Sequence, residues 1–288
     1  MENKEAKSIV RRYKIERIVA VFFIYAFVLI VNILTNFNIG GYILALLISL
    51  IVSTRIFSFI RKYNFACIID NNLDAKLFSE IANYFHKNSK TSVLWNIESS
   101  FYSGDYKNSS RICSESMKSD KRILYQKIYL FMLAEIYFEL GEKEKLKYTC
   151  KKIDLLVSDK NTFKQKFFGF LKFIFLGINE NKTLKMLSAK RKFFESYLKG
   201  DFEECLTTLN KYKCKTNCQK VNKDLSLAII YYRSGDMTQS KILFEEIIQK
   251  APKMNFAKIS QKYLEAIENS AGIDVSFSDM LQPQSDEL

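Results

Sequence analysis

The chain has 288 residues, 48% of them apolar, enough for one ordinary core or a stacked helical array and too apolar for a disordered protein. Its 44 Lys and Arg outnumber 31 Asp and Glu for a net +13, but 35 of the 44 are Lys among many Ile, Asn, Phe and Tyr. That pattern is a compositional bias and does not by itself specify a nucleic-acid binder. Nine Gly and two Pro supply too few reversals for a β-sandwich, and a lone histidine, His86, excludes His-rich metal sites.

From Ile18 to Thr54, 37 residues pass without a charged side chain. One straight helix of that length would run ~55 Å, nearly twice the ~30 Å hydrocarbon core of a bilayer. The run must break, and the polar, Gly-rich Asn36-Phe37-Asn38-Ile39-Gly40-Gly41 is the place. A transmembrane hairpin is therefore predicted over 18–60, with spans at about 18–35 and 39–59. Arg55 falls near the end of the second span, where its long stem reaches the headgroups. Residues 1–17 carry Lys4, Lys7, Arg11, Arg12, Lys14 and Arg17, and Arg55, Arg61 and Lys62 follow the second span. The connecting turn carries no basic residue, so both termini are expected in the cytoplasm, in a bacterial cell membrane.

Beyond residue 63 the pattern turns amphipathic and helical. A landmark recurs at Ser103-Gly104-Asp105-Tyr106, Leu140-Gly141-Glu142, Lys199-Gly200-Asp201-Phe202 and Ser234-Gly235-Asp236-Met237, with glycine spacings of 37, 59 and 35. Such periods mark stacked helix pairs, with Gly at the sharp turn and the acid capping the next helix. In the last unit Leu227, Ala228, Tyr231, Ser240, Phe244 and Pro252 stand where small and aromatic residues alternate. This unit resembles a tetratricopeptide repeat. The unit at Gly141 keeps Leu133, Ala134 and Tyr137 but has Leu146 where a small residue is usual. The unit at Gly200 keeps Phe202 and Cys205 but has bulky Phe193, and the unit at Gly104 keeps Tyr106 and Ser109. The resemblance spans about 90–270. The long interval leaves room for an extra helix at Thr162–Gly177, rich in Phe, expected to clamp into the array; its interspersed lysines make a membrane-surface position the alternative.

Little chemistry is written elsewhere. Cys214-x-x-x-Cys218 with Cys205 lacks a fourth zinc ligand at the right spacing, and Cys113, Cys150 and Cys205 fall at helix-packing positions. No phosphate loop, paired-carboxylate motif or nucleophile elbow is present, so no catalytic residue, cofactor or metal is expected. Residues 265–288 hold six acids and no Lys or Arg, leaving +19 on the rest of the +13 chain. Gly272 and Pro283 mark 271–288 as a flexible acidic tail.

The expected architecture is all-α: a basic cytoplasmic segment 1–17, the hairpin 18–60, a repeat solenoid 63–270 and the tail. What the resemblance implies is a non-catalytic scaffold that takes an unidentified partner protein or peptide in a concave groove. Its implied groove residues are Leu94, Glu98, Phe101 and Tyr102 in the first unit and Phe131, Glu135 and Phe138 in the second. The third offers Lys190, Phe194 and Tyr197, and the fourth Asn222, Leu225, Ile229, Tyr232 and Arg233. The alternative is a membrane-associated binder of nucleic acid or anionic lipid using the basic repeat surface. The scattered Lys, clustered only at Arg11-Arg12 and Lys190-Arg191-Lys192, disfavour it.

Overall fold

The structure is a computed structural model that describes residues 4–34, 38–84, 90–120, 123–157 and 180–269. His86, the Phe-rich segment 162–177 and the tail 271–288 lie outside the described residues. Among the described residues all regular structure is helical. They fall into two compact units, one within Met1–Cys67 and the leading turns of the helix that starts at Glu180, the other within Ile68–Asp159 and Met186–Leu288.

The first unit is a hairpin of α1 (Lys4–Leu34) and α2 (Ile39–Arg61), followed by a π-helical turn at Lys62–Ala66. The helix begins at Lys4, so the basic segment 4–17 and the apolar run form one continuous rod. The break is narrower than Asn36–Gly41: α2 has already started at Ile39, and Gly40 and Gly41 lie in its first turn. Asn38 is the reason. Its side-chain oxygen accepts from the Gly40 N–H at 2.8 Å and its carbonyl from the Tyr42 N–H at 2.9 Å, so it caps the helix. Ala20, Asn32, Ala45 and Ser49 are buried while their larger apolar neighbours are exposed, as expected where small residues let two helices close. At the charged end Arg12 Nε donates to Asn64 Oδ1 at 3.0 Å and Asn64 Nδ2 to Glu16 Oε2 at 2.6 Å. Arg17 lies over the rings of Tyr13 and Phe57 at 5.6 and 5.4 Å.

The second unit begins with the short α3 (Cys67–Asp70) and α4 (Ala75–Tyr84) and continues as four helix pairs. These are α5 (Lys90–Ser103) with α6 (Tyr106–Ser119), α7 (Ile123–Glu139) with α8 (Lys143–Val157), α9 (Glu180–Lys199) with α10 (Phe202–Lys211), and α11 (Asn217–Ser234) with α12 (Met237–Lys250). A single helix, α13 (Asn255–Glu268), follows. The four turns are one device repeated. Gly104, Gly141, Gly200 and Gly235 all have positive φ, between 66° and 90°. In each the next residue's N–H returns five residues back, as Asp105 to Ser100, Glu142 to Tyr137, Asp201 to Ser196 and Asp236 to Tyr231, at 2.8–2.9 Å. Asp105, Asp201 and Asp236 then cap the second helix, each accepting from a backbone N–H three residues on at 3.0 Å.

In three pairs the helices meet at residues twelve apart, Ile97 with Ser109, Phe193 with Cys205 and Ala228 with Ser240, and Ala134 and Leu146 hold the same two positions about Gly141. All eight are buried. Every crossing has at least one small member. This accounts for the two misfits in the repeat pattern, since Leu146 sits opposite Ala134 and Phe193 opposite Cys205. Helix α7 is apolar nearly all round, with Tyr129, Leu130, Phe131, Ala134, Ile136 and Phe138 buried, which makes it a core helix.

The array closes on itself. Phe256 of α13, fully buried, sits edge-on to Phe101 and Tyr102 of α5 with ring centroids 6.2 and 5.9 Å apart. Asn255 Nδ2 donates to the Tyr106 hydroxyl at 3.1 Å, and Lys253 pairs with Asp74 at 2.6 Å. The last helix therefore packs on the first repeat.

Candidate functional site: the inner face of the closed array

Closure turns the expected groove inward. The first helices of the pairs face one another, and what lies between them is set by spacing along each helix. On α7, Glu135 and Glu139 are four apart and share a face. Lys190 of α9 is paired with Glu135. Beside them Phe138 meets Phe193, Phe194 and Tyr197 with centroids 4.9–5.9 Å apart. From the opposite end of the array the Tyr102 hydroxyl meets the Cys218 thiol in a hydrogen bond. A cleft opens among α7, α9, α10 and α11, floored by Phe138, Phe193, Phe194 and Leu209, with Tyr212, Asn222 and Lys223 around it.

Burial dominates the electrostatics. Glu98 is pushed up to about 7 by burial, with Asp70 and Glu135 adding to it. Glu139, 2% exposed, is pushed up to about 8 by burial and then by Glu135, with Lys190 pulling the other way. Burial alone would lower the Lys190 ammonium, but the adjoining Glu135 carboxylate outweighs it and raises it. Tyr102, Tyr106 and Tyr263 are driven well above the usual phenol range, again by burial first. Glu139 Oε2 is buried with no hydrogen-bond partner.

Of the fifteen residues singled out from the sequence, eight are buried packing residues: Phe101, Phe131, Phe138, Phe194, Tyr197, Leu225, Ile229 and Tyr232. Seven keep partial exposure: Leu94, Glu98, Tyr102, Glu135, Lys190, Asn222 and Arg233. Asn222 joins Glu135 and Lys190 around the cleft. Glu98 feels the Glu135 charge across from α5. Arg233 Nε is buried without a hydrogen-bond partner, and its charge acts on Tyr197 and Tyr263. Glu139, Tyr212 and Phe256 are not among the residues that the repeat pattern singles out, and Cys218 enters there only as a thiol of a candidate zinc cluster. Glu139 is within reach of the pattern, one helical turn from Glu135; Phe256 and the Tyr102–Cys218 pairing come only with closure.

The three sulfurs weighed as a zinc cluster turn to separate partners. Cys205 donates to the Phe193 carbonyl at 3.7 Å, Cys214 to the Gln219 carbonyl at 3.3 Å, and Cys218 meets Tyr102. Burial holds Cys205 and Cys218 up at about 12, as neutral thiols.

Residues 225–253 match the family model of the tetratricopeptide repeat. The match covers the second half of α11, all of α12 and the turn at Pro252, the pair in which both crossing residues are small. No curated protein and no solved structure matches the chain. One helix pair of this all-α array is thus similar to a tetratricopeptide repeat.

Proposed function

We propose that this protein is a non-catalytic scaffold, anchored in the cell membrane by its N-terminal hairpin with both termini in the cytoplasm, that docks a segment of a partner protein on the inner face of its repeat array. The repeat match at 225–253 carries the docking part. Supporting it, partly exposed polar and aromatic residues from all four repeats, Glu98, Tyr102, Glu135, Lys190 and Asn222, lie toward that face. Lys190, which reaches this face, is already paired with Glu135 and so is not free to hold a polyanion such as nucleic acid.

For the anchor, α1 and α2 each pass the length and apolarity needed to cross a bilayer, and only 11% and 12% of their most apolar windows are buried. A soluble core helix of that composition would be mostly covered. The basic flanks supply the orientation.

A photo-crosslinking amino acid in place of Tyr102, compared with one in place of the exposed Tyr148, tests the reading in intact cells. A discrete protein adduct at position 102 and not at 148 is expected. Adducts at neither position, or equally at both, would remove the inner face as the docking surface.

A further inference from the structure

We propose that the cleft among α7, α9 and α11 takes the side chain of a partner's lysine, its ammonium seated on Glu139. This rests on the docking reading above and names the chemistry of the docked segment.

Glu139 lines the cleft and is almost fully buried, yet its Oε2 has no hydrogen-bond partner. A buried acceptor left unmatched is costly, and an arriving donor relieves that. The protein already shows the form the donor takes. Lys190 enters the same cleft and satisfies Glu135, one turn of α7 away. A second ammonium at Glu139 would repeat that pairing. The walls suit a long aliphatic stem, since Phe138, Phe193 and Phe194 present apolar surface along the way. The precedent of Lys190 on Glu135 favours the compact ammonium of Lys over the broad planar fork of Arg at a carboxyl this deeply buried.

The charges around Glu139 come from several elements. Glu135 and Lys190 act on it from α7 and α9, and its own charge is felt by Tyr106 of α6, Tyr197 of α9 and Tyr263 of α13. Lys223 of α11 also lines the cleft and is not among the charges that act on Glu139. Because burial keeps Glu139 protonated up to about pH 8, an incoming ammonium must displace that proton. Affinity for lysine should therefore drop about tenfold per pH unit below that point and level off above it.

The test uses the full chain in detergent micelles and three pools of fluorescein-labelled degenerate peptides, fixed at the centre as Lys, norleucine or Glu. Binding is read by fluorescence polarisation from about pH 6 to about pH 9. The Lys pool should bind roughly tenfold tighter than the norleucine pool at the alkaline end, and the preference should fade with acidification. Glu139→Gln should abolish both the preference of the Lys pool over the norleucine pool and its pH slope. A Lys pool no tighter than norleucine at any pH, or a preference that survives Glu139→Gln, overturns the proposal. Should the variant not fold, a flat wild-type pH profile does the same. Failure of every pool to bind would instead sink the docking reading itself. n-Butylamine binding with the same slope while no pool binds would assign the cleft to a small amine, against the lysine occupant.

Discussion

Ser240 donates its hydroxyl to the carbonyl of Ala228 at 3.0 Å, across the point where α11 and α12 touch. Ser109 does the same to Ile97 at 3.0 Å, and Cys205 to Phe193 at 3.7 Å. The donor sits twelve residues after its acceptor each time, and the pair at Gly141 alone departs, with Leu146 in the donor's place and Ala134 opposite. Size is conserved across the crossing instead of at either position. Exchanging it should therefore be tolerated: Ala134→Ile with Leu146→Ser copies the Ile97–Ser109 crossing. Ala134→Ile alone overpacks, at about 1–3 kcal/mol, and Leu146→Ser alone leaves a cavity of similar or larger cost. Chemical unfolding of the full chain in detergent, followed by circular dichroism, should show the double variant more stable than the sum of the singles predicts by ~1 kcal/mol or more. Strict additivity would mean the two residues do not share one space.

Closure of the array can be separated from turn strain at Gly104. Alanine at Gly104 or Gly235 must adopt the left-handed backbone, φ 90° and 88°, at about 1–2 kcal/mol. At Gly235 an added Cβ meets nothing, whereas at Gly104 it would stand 2.5 Å from Asn255 Oδ1. Asn255 would have to move and give up its hydrogen bond to Tyr106, roughly a further 1 kcal/mol. Gly104→Ala should thus melt below Gly235→Ala, and in an Asn255→Ala background, where that hydrogen bond is already gone, the two glycine substitutions should lower the melting temperature equally. Equal melting of the two single variants would show that α13 does not rest on the first turn.

The four turns were fully legible, because a glycine followed by an acid is a local requirement of backbone and cap, and each stands where the spacing put it. The pairs around them followed. Closure was not legible: Phe256 meets Phe101 across more than half the chain, and nothing in the periodicity of α5 or α13 distinguishes a ring from an open solenoid. That is also why Phe101, chosen as a groove residue, is a packing residue. A face that looks outward in an isolated pair is covered once the ends meet. In the hairpin the polar cluster marked the break, but Asn38 set its exact edge, because a capping side chain starts a helix even when two glycines come next.

Orientation of the hairpin is tested by cysteine labelling in intact cells. The proposed orientation, drawn from the basic flanks of α1 and α2, has both charged ends inside and the turn between the spans outside. A cysteine replacing Asn38 should react with a membrane-impermeant maleimide added outside, beyond the background of the six native thiols. One replacing Ser270 should react only after lysis. Labelling at 270 from outside would reverse the topology and place the repeats on the other face of the membrane.

The buried carboxyls give the fold an unusual pH dependence. Glu98 and Glu139 are held at about 7 and about 8, above the ordinary 4.5 of a free glutamate. Between those values the folded chain binds protons that the unfolded chain has released, so raising the pH favours unfolding. The stability these groups allow is complete in mild acid and is lost as pH rises through about 7 to 8. Glu139→Gln keeps the neutral shape without the titration. Its melting temperature should match the wild type near pH 5 and exceed it by several degrees near pH 8. Asp74 runs the other way. Despite partial burial, which raises it, hydrogen bonds from the Leu77 N–H and Lys253, with the Lys253 charge, lower its carboxyl overall. Its contribution is present at neutral pH and lost in acid, so Asp74→Asn should lose stability near pH 7 and converge with the wild type below about pH 3. Melting curves of both variants against pH, in one detergent and at one ionic strength, decide the matter. A Glu139→Gln curve parallel to the wild type from pH 5 to pH 8 would show that Glu139 gives up its proton as readily in the folded chain as in the unfolded one, with Lys190 outweighing burial.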